Sequence, residues 1–268
     1  MSASVDSVAG ADRYEFGENW SRFLLHLNDE QIADAEESLQ QWLGAGSLQG
    51  KRFLDAGSGS GLFSLAARRL GATVHSFDYD PMSVRCTSEL RQRYFPNDAQ
   101  WRVERGSVLD RNYLASLGKF DVVYSWGVLH HTGSMWNAME AVLGALHPDG
   151  KLFIALYNDQ GWLSRYWTFV KASYNRFRWL RPLIVAVHSP YLIFGRWIAW
   201  KIKGTARQHR GMKILTDAYD WLGGYPFEVA TPEAVVQFYR ERGWAVQRIL
   251  TCGRKPGCNE FVFARVQS

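Results

Sequence analysis

Apolar residues fall at helical spacing from Asn19 to Leu43: Trp20, Phe23, Leu24 and Leu27, then Ile32, Ala35, Leu39, Trp42 and Leu43. That period predicts two successive amphipathic helices. Asp29 stands where the second helix needs an N-cap. Gly44 to Gly50 reads as a turn, and after it the period changes. Arg52 to Ala56 reads as a short buried strand that runs into glycines. A helix over Leu62 to Leu70, closed by Gly71, leads to a strand over Thr73 to Phe77. Pro81 to Tyr94 is the next helix, and Trp101 to Arg105 and Phe120 to Ser125 are the next strands. Ser134 to Leu146 reads as a helix ended by His147-Pro148-Asp149-Gly150, and Lys151 to Tyr157 as a fifth strand. Strands alternating with helices predict a parallel sheet in a doubly wound α/β fold.

After Tyr157 the alternation stops for about seventy residues. It resumes with a helix over Thr231 to Arg242, with Thr231 as cap and Pro232 in the first turn. Two strands follow, Trp244 to Thr251 and Glu260 to Val266. The glycine- and proline-containing turn between them, Gly253 to Gly257, suits a hairpin. The expected organisation is an N-terminal helical cap (1–49), a binding domain in two pieces (50–158 and 231–268) and an insertion (159–230).

Composition changes this picture in one respect. The 268 residues carry a formal net charge of +5, but the charge is uneven. From Gly161 to Thr216 there is no Asp or Glu, against eleven Lys and Arg, so the rest of the chain nets about −6 (5 − 11). A basic segment sits within an otherwise acidic protein, unlike a protein that coats nucleic acid with its whole surface. The cysteines, Cys86, Cys252 and Cys258, form no CxxC pair, so neither a disulfide framework nor a bound metal is expected. The polar first twenty residues do not read as a secretory signal, and the cytoplasm is the expected compartment.

The candidate chemistry begins at Asp55-Ala56-Gly57-Ser58-Gly59-Ser60-Gly61. Alternate glycines after a strand let the chain bend sharply and let a ligand lie on the main chain. The helix that follows aims its unpaired N–H groups at the same place. The spacing is neither the dinucleotide Gly-x-Gly-x-x-Gly nor a P-loop. Seventeen residues on, the second strand ends at Asp78. A carboxylate there can accept both ribose hydroxyls of a nucleoside. Asp80, just before Pro81, suits the helix cap and leaves Asp78 for that role.

With Gly106-Ser107-Val108-Leu109, the run Asp121 to His131 and Pro148-Asp149-Gly150, these motifs resemble class I, Rossmann-like S-adenosylmethionine-dependent methyltransferases. In motif style the similarity is to small-molecule members, including those that act on quinone precursors. It covers residues 50–158 and 231–266. The resemblance implies a seven-stranded, mostly parallel sheet ending in an antiparallel hairpin, with S-adenosyl-L-methionine as cofactor. It implies that Asp55, Gly57, Ser58, Gly59 and Gly61 hold the methionine end and Asp78 the ribose. Tyr79 would stack beside the adenine, Ser107 and Val108 would border its edge, and Ser125 and Trp126 would approach the methionine portion. Ser107 stands where many relatives carry Asp, and its hydroxyl can still accept a hydrogen bond. The segment from Tyr14 to Trp20 would fold over the cofactor.

The acceptor is less legible. His130 and His131, just past the fourth strand, are the candidate general bases. The alternative is that one packs on the sheet and the other caps the next helix. Tyr157 and Asn158 reach the ligand edge of such a sheet. Tyr219 and Asp220 belong to a loop that could close over a ligand. Ser125-Trp126-Gly127-Val128 replaces the Asn/Asp-Pro-Pro-Tyr/Phe of nucleic-acid amine methyltransferases, which counts against a nucleobase acceptor. The insertion is dense in aromatics and reads as a helical lid with solvated charges. It also suits peripheral contact with an anionic membrane through 161–216, on the inner face of that membrane. The expected activity is methyl transfer, preferably to oxygen, on a small-molecule or lipid-linked acceptor. An RNA methyltransferase and a non-catalytic binding module are the alternatives.

Overall fold

The computed structural model describes residues 20, 23–190, 221–253 and 255–266. Helix α1 (Asp29–Leu43) opens on a capping box in which Asn28 and Gln31 exchange backbone and side-chain hydrogen bonds. The cap is therefore Asn28. Asp29 lies in the first turn, where its charge complements the helix dipole. Gly44 ends the helix with φ 62°. The buried stripe Ile32, Ala35, Leu39 and Leu43 packs on α2 (Leu62–Arg69).

Strands β1 (Arg52–Ala56), β2 (Thr73–Asp78), β3 (Trp101–Arg105), β4 (Phe120–Trp126) and β5 (Leu146–Tyr157) run parallel. Strands β6 (Trp244–Leu250) and β7 (Cys258–Arg265) form the closing hairpin, with β7 antiparallel to β5. The order is β3-β2-β1-β4-β5-β7-β6. The expected seven-stranded, mostly parallel sheet with a C-terminal antiparallel hairpin is the fold observed. Alternate residues feed two apolar layers. Phe53 and Phe153 face α1, α2 and the helix α3 (Pro81–Tyr94). Leu54 and Ile154 face α5 (Met135–Gly144) and α8 (Pro232–Arg240). Chain order reverses at β1, which has β2 on one side and β4 on the other, so a crevice opens at their C-terminal ends.

The largest departure from the sequence reading lies between α5 and β5. Helix α5 stops at Gly144, and Leu146 already belongs to β5. The Phe120 N–H donates to the Ala145 carbonyl at 2.8 Å, and buried Leu146 pairs with Phe120, which draws this segment into the sheet. Helix α4 (Arg111–Ser116) is additional. It is too short for a period to show, and its only local sign is Asp110, whose side chain accepts the Tyr113 N–H at 2.9 Å.

The insertion leaves and returns at one point. The Ala230 N–H donates to the Tyr157 carbonyl at 3.0 Å, and the Asp159 N–H to the Ala230 carbonyl at 3.1 Å. Between them, α6 (Trp162–Arg176) turns through Arg178–Leu180 into a helix over 181–190, here α7. Among the described residues no helix is long and apolar enough to cross a membrane.

Candidate functional site

The glycine loop lies against the end of β2. Gly57, Gly59 and Gly61 have φ of 89°, 55° and 82°, the left-handed region that glycine enters without strain. The N–H groups of Gly57 and Ser58 donate to the Phe77 carbonyl at 2.8 and 3.1 Å. The Gly59 N–H donates to Asp78 Oδ2 at 3.0 Å, and the Asp80 N–H to Oδ1 at 2.9 Å. Asp80 itself caps α3 by accepting the Met82 N–H at 2.9 Å. Asp78 thus joins the loop to the strand.

Next to Asp78 is a cleft enclosing about 360 Å³ of non-protein space, part of it open to solvent. Phe77, Tyr79, Gly106, Ser107 and Val108 line one part, and Gly57, Val128 and Thr132 another. Tyr79 is held at the rim by Arg105, whose Nε donates to the Tyr79 carbonyl at 3.2 Å and whose guanidinium lies 5.5 Å from the ring. A Cβ on Gly57 would come within 2.5 Å of Val128, and one on Gly59 within 3.0 Å of the Trp20 indole. The indole therefore covers the loop.

Other candidate side chains are turned inward. Asp55 is buried and accepts the Ser64 hydroxyl at 2.5 Å. Ser58 bonds Thr87 at 2.9 Å, and the Thr87 hydroxyl donates to the Gly59 carbonyl. Ser125 is fully buried and donates to the Ala56 carbonyl at 2.8 Å, tying β4 to β1. Trp126 packs on the Phe53 side of the sheet. Asn158 donates to the Gly253 carbonyl and accepts from Asn259, which clamps the hairpin to the base of the insertion. Tyr219 and Asp220 lie outside the described residues.

His130 and His131 form a 3-10 turn (Leu129–His131) between Val128 and Thr132, two residues of the cleft wall. The His130 ring centroid lies 4.0 Å from that of Tyr157, tilted against it, and 4.4 Å from that of His131, edge-on. Its Nδ1 accepts the Tyr157 N–H at 3.3 Å, and its Nε2 is buried without a hydrogen-bond partner. Burial, then the nearby charges of His131 and Lys171, hold His130 well below the usual histidine range. It is neutral at pH 7, with its proton on Nε2. His131 is the reverse case. Its Nδ1 lies 2.6 Å from the Pro226 carbonyl, which only accepts, so Nδ1 carries a proton.

Three residues escaped the sequence reading. Thr87 staples the loop, and Val128 shields it. Lys171 was counted among solvated charges, yet it is fully buried. Its Nζ donates to the Trp221 carbonyl and lies 4.3 Å from the Trp221 ring and 4.6 Å from Phe227. Helical spacing with Trp167, Val170 and Tyr174 was the signal that placed it on the inner face. Glu228 caps α5 from the far end of the insertion. Both carboxylate oxygens accept the Met135 N–H, at 3.1 and 3.0 Å. Burial raises its pKa against the pull of the Met135 and Gly133 N–H groups.

A doubly wound parallel sheet, with a glycine loop on β1 and a carboxylate ending β2, is a Rossmann-like arrangement. The chain belongs to the methyltransferase-domain family, whose model matches residues 24–191. It is 30% identical over 123 residues to a ubiquinone biosynthesis O-methyltransferase of Escherichia fergusonii, covering 44% of this chain and 49% of that protein. It is 34% identical over 108 residues to a tRNA U34 carboxymethyltransferase of Methylococcus capsulatus, covering 40% of this chain and 32% of that protein. The chain thus spans about half, or less, of the length of these curated relatives. Its fold is similar to that of the Synechocystis magnesium protoporphyrin IX methyltransferase with bound SAH (TM-score 0.55, 17% identity, 93% of this chain and 94% of that one). It is also similar to the Burkholderia thailandensis 1,6-didemethyltoxoflavin-N1-methyltransferase (TM-score 0.53, 14% identity, 100% and 92%).

Proposed function

We propose that the protein is an S-adenosylmethionine-dependent methyltransferase that methylates an oxygen of a small or lipid-linked acceptor, with His131 as general base. The observation that carries this reading is the His131–Pro226 bond in the turn beside the cleft. When bound, S-adenosylmethionine supplies an electrophilic methyl group. The residues fit that cofactor. Asp78 takes the ribose hydroxyls, Tyr79 and Val108 flank the adenine, and the glycine loop accepts the methionine portion against bare main chain. Trp20 and Val128 keep water off the loop. His131 takes the acceptor hydroxyl's proton as oxygen attacks. His130 holds its proton on Nε2 and acts by positioning the turn and Tyr157. The relatives named as ubiquinone O-methyltransferases support oxygen as the nucleophile. The exposed aromatic face of the insertion supports a lipid-linked acceptor met at a membrane.

Three measurements test the reading. Calorimetric titration should show S-adenosylhomocysteine binding, and Asp78→Ala should weaken it. Labelled methyl from S-adenosylmethionine should enter a small-molecule extract of the native host. His131→Gln should lower kcat by about 10²-fold or more, with the rate recovering towards high pH as the acceptor ionises unaided. Absent S-adenosylhomocysteine binding sinks the cofactor assignment. An unchanged pH profile in His131→Gln sinks the base. A second reading, RNA methylation, is favoured by the tRNA-modifying relative. Acceptor activity that vanishes on nuclease treatment of the extract would support it.

A further inference from the structure

We propose that the α6–α7 hairpin is a docking surface for an anionic phospholipid bilayer. The inference goes beyond the methyl-transfer reading and stands without it. Two contacts show the helices to be antiparallel. Arg181 Nε donates to the Tyr174 carbonyl at 2.9 Å near the turn, and the Tyr166 hydroxyl bonds His188 Nε2 at 2.8 Å farther along. The inner face of α6, from Ser164 through Trp167, Val170 and Tyr174, is buried with Leu222 and Phe227 at the far end of the insertion. The outer face follows at the same period. It carries Trp162, Tyr166 and Phe169, with Trp162 and Phe169 each 71% exposed, and Arg165 and Arg176 alongside them.

The turn continues this chemistry. Phe177, Arg178 and Trp179 are exposed, Trp179 at 77%. On α7, Leu183 and Val187 are 60% and 61% exposed and one turn apart. Water is a poor solvent for such a run of large apolar side chains. The charges identify what covers it. No Asp or Glu occurs from 161 to 216, so Arg165, Arg176 and Arg178 have no acidic neighbour within the hairpin sequence. Indole rings seat at the headgroup boundary while guanidinium groups reach phosphate oxygens, and a bilayer offers both environments on one plane. A second copy meeting the same face by two-fold symmetry would set these arginines against their own copies. Single-stranded RNA would use the rings for stacking but has no use for Leu183 and Val187.

The test is co-sedimentation of the full chain with vesicles of phosphatidylcholine alone or with added phosphatidylglycerol. The protein should pellet with the anionic vesicles only, and less as salt rises. Arg176→Glu with Arg178→Glu should lower partitioning by about tenfold or more. Phe177→Ser with Trp179→Ser should lower it at every salt concentration. Unchanged circular dichroism and thermal unfolding show the variants folded, whatever their activity. Should the double charge reversal misfold, Arg178→Gln is the milder variant and should show a smaller loss in the same direction. The proposal is overturned if the wild type stays in the supernatant with anionic vesicles, or if the folded variants pellet as it does. It is equally overturned if sedimentation velocity shows a Trp179-dependent dimer, or if single-stranded RNA retains the protein where anionic vesicles do not.

Discussion

Lys171 is the clearest case of a side chain whose residue type misleads. It lies in the most basic part of the chain, yet it is fully buried, its ammonium group among aromatic rings and bonded to a carbonyl. Lys171→Ala would open a hole and strip the Trp221 carbonyl of a donor. The expected loss is about 3–5 kcal/mol in denaturant unfolding. Lys171→Met, which keeps the volume, should lose less. The glycine loop is the opposite case, since its residues announce their role locally. Gly59 combines φ 55° with an indole at 3.0 Å from any Cβ. Gly59→Val should abolish S-adenosylhomocysteine binding in calorimetry, because its side chain needs space that Trp20 and the ligand share. Asp78 and the loop glycines were legible because strand, turn and helix N-terminus lie within a few residues of one another. The histidine tautomers were not, because each depends on a backbone group far along the chain, Tyr157 for His130 and Pro226 for His131.

At the scale of elements, the turn that carries His131 is fixed from the far end of the insertion. The Glu228 N–H donates to the His130 carbonyl at 3.0 Å, the Pro226 carbonyl accepts from His131 Nδ1, and the Glu228 carboxylate caps α5. Ser134, at the N-cap position, makes no side-chain cap bond, so Glu228 does that work from 93 residues away. Glu228→Ala should cost about 1 kcal/mol of stability, read as a lower thermal midpoint. It should also lower kcat more than cofactor affinity, because it loosens His131 and not Asp78. Glu228→Gln, which keeps an acceptor, should lose less of both. Every strand and most helices could be read from period and glycine placement, since these are local signals. The start of β5 could not, because a pairing with Phe120 overrides the turn that His147-Pro148-Asp149-Gly150 suggests.

For the molecule as a whole, the net charge of +5 averages an acidic body and a basic insertion joined to it through Tyr157 and Ala230. Stability should follow the buried histidines of the body more than that net charge. Burial holds His130 well below the usual range, helped by His131 and Lys171. Burial also lowers His75, although Glu104 at 3.0 Å pulls the other way. In the unfolded chain both titrate near their ordinary value of about 6.5. Below that pH the unfolded state binds protons that the native state refuses, so stability falls as pH drops from 7 towards 5, by about 1.4 kcal/mol per pH unit for each such proton. Glu228 acts in the opposite sense. Its raised pKa favours the fold at acid pH and withdraws that contribution as pH rises through the carboxylate range. The two histidines together should outweigh it between pH 5 and 7, giving a midpoint in urea that climbs with pH. His130→Phe, which keeps a ring against Tyr157, should flatten that climb and leave the part due to His75. A climb of equal slope in His130→Phe would mean that His130 takes up a proton in the native state after all, and that its turn opens to water.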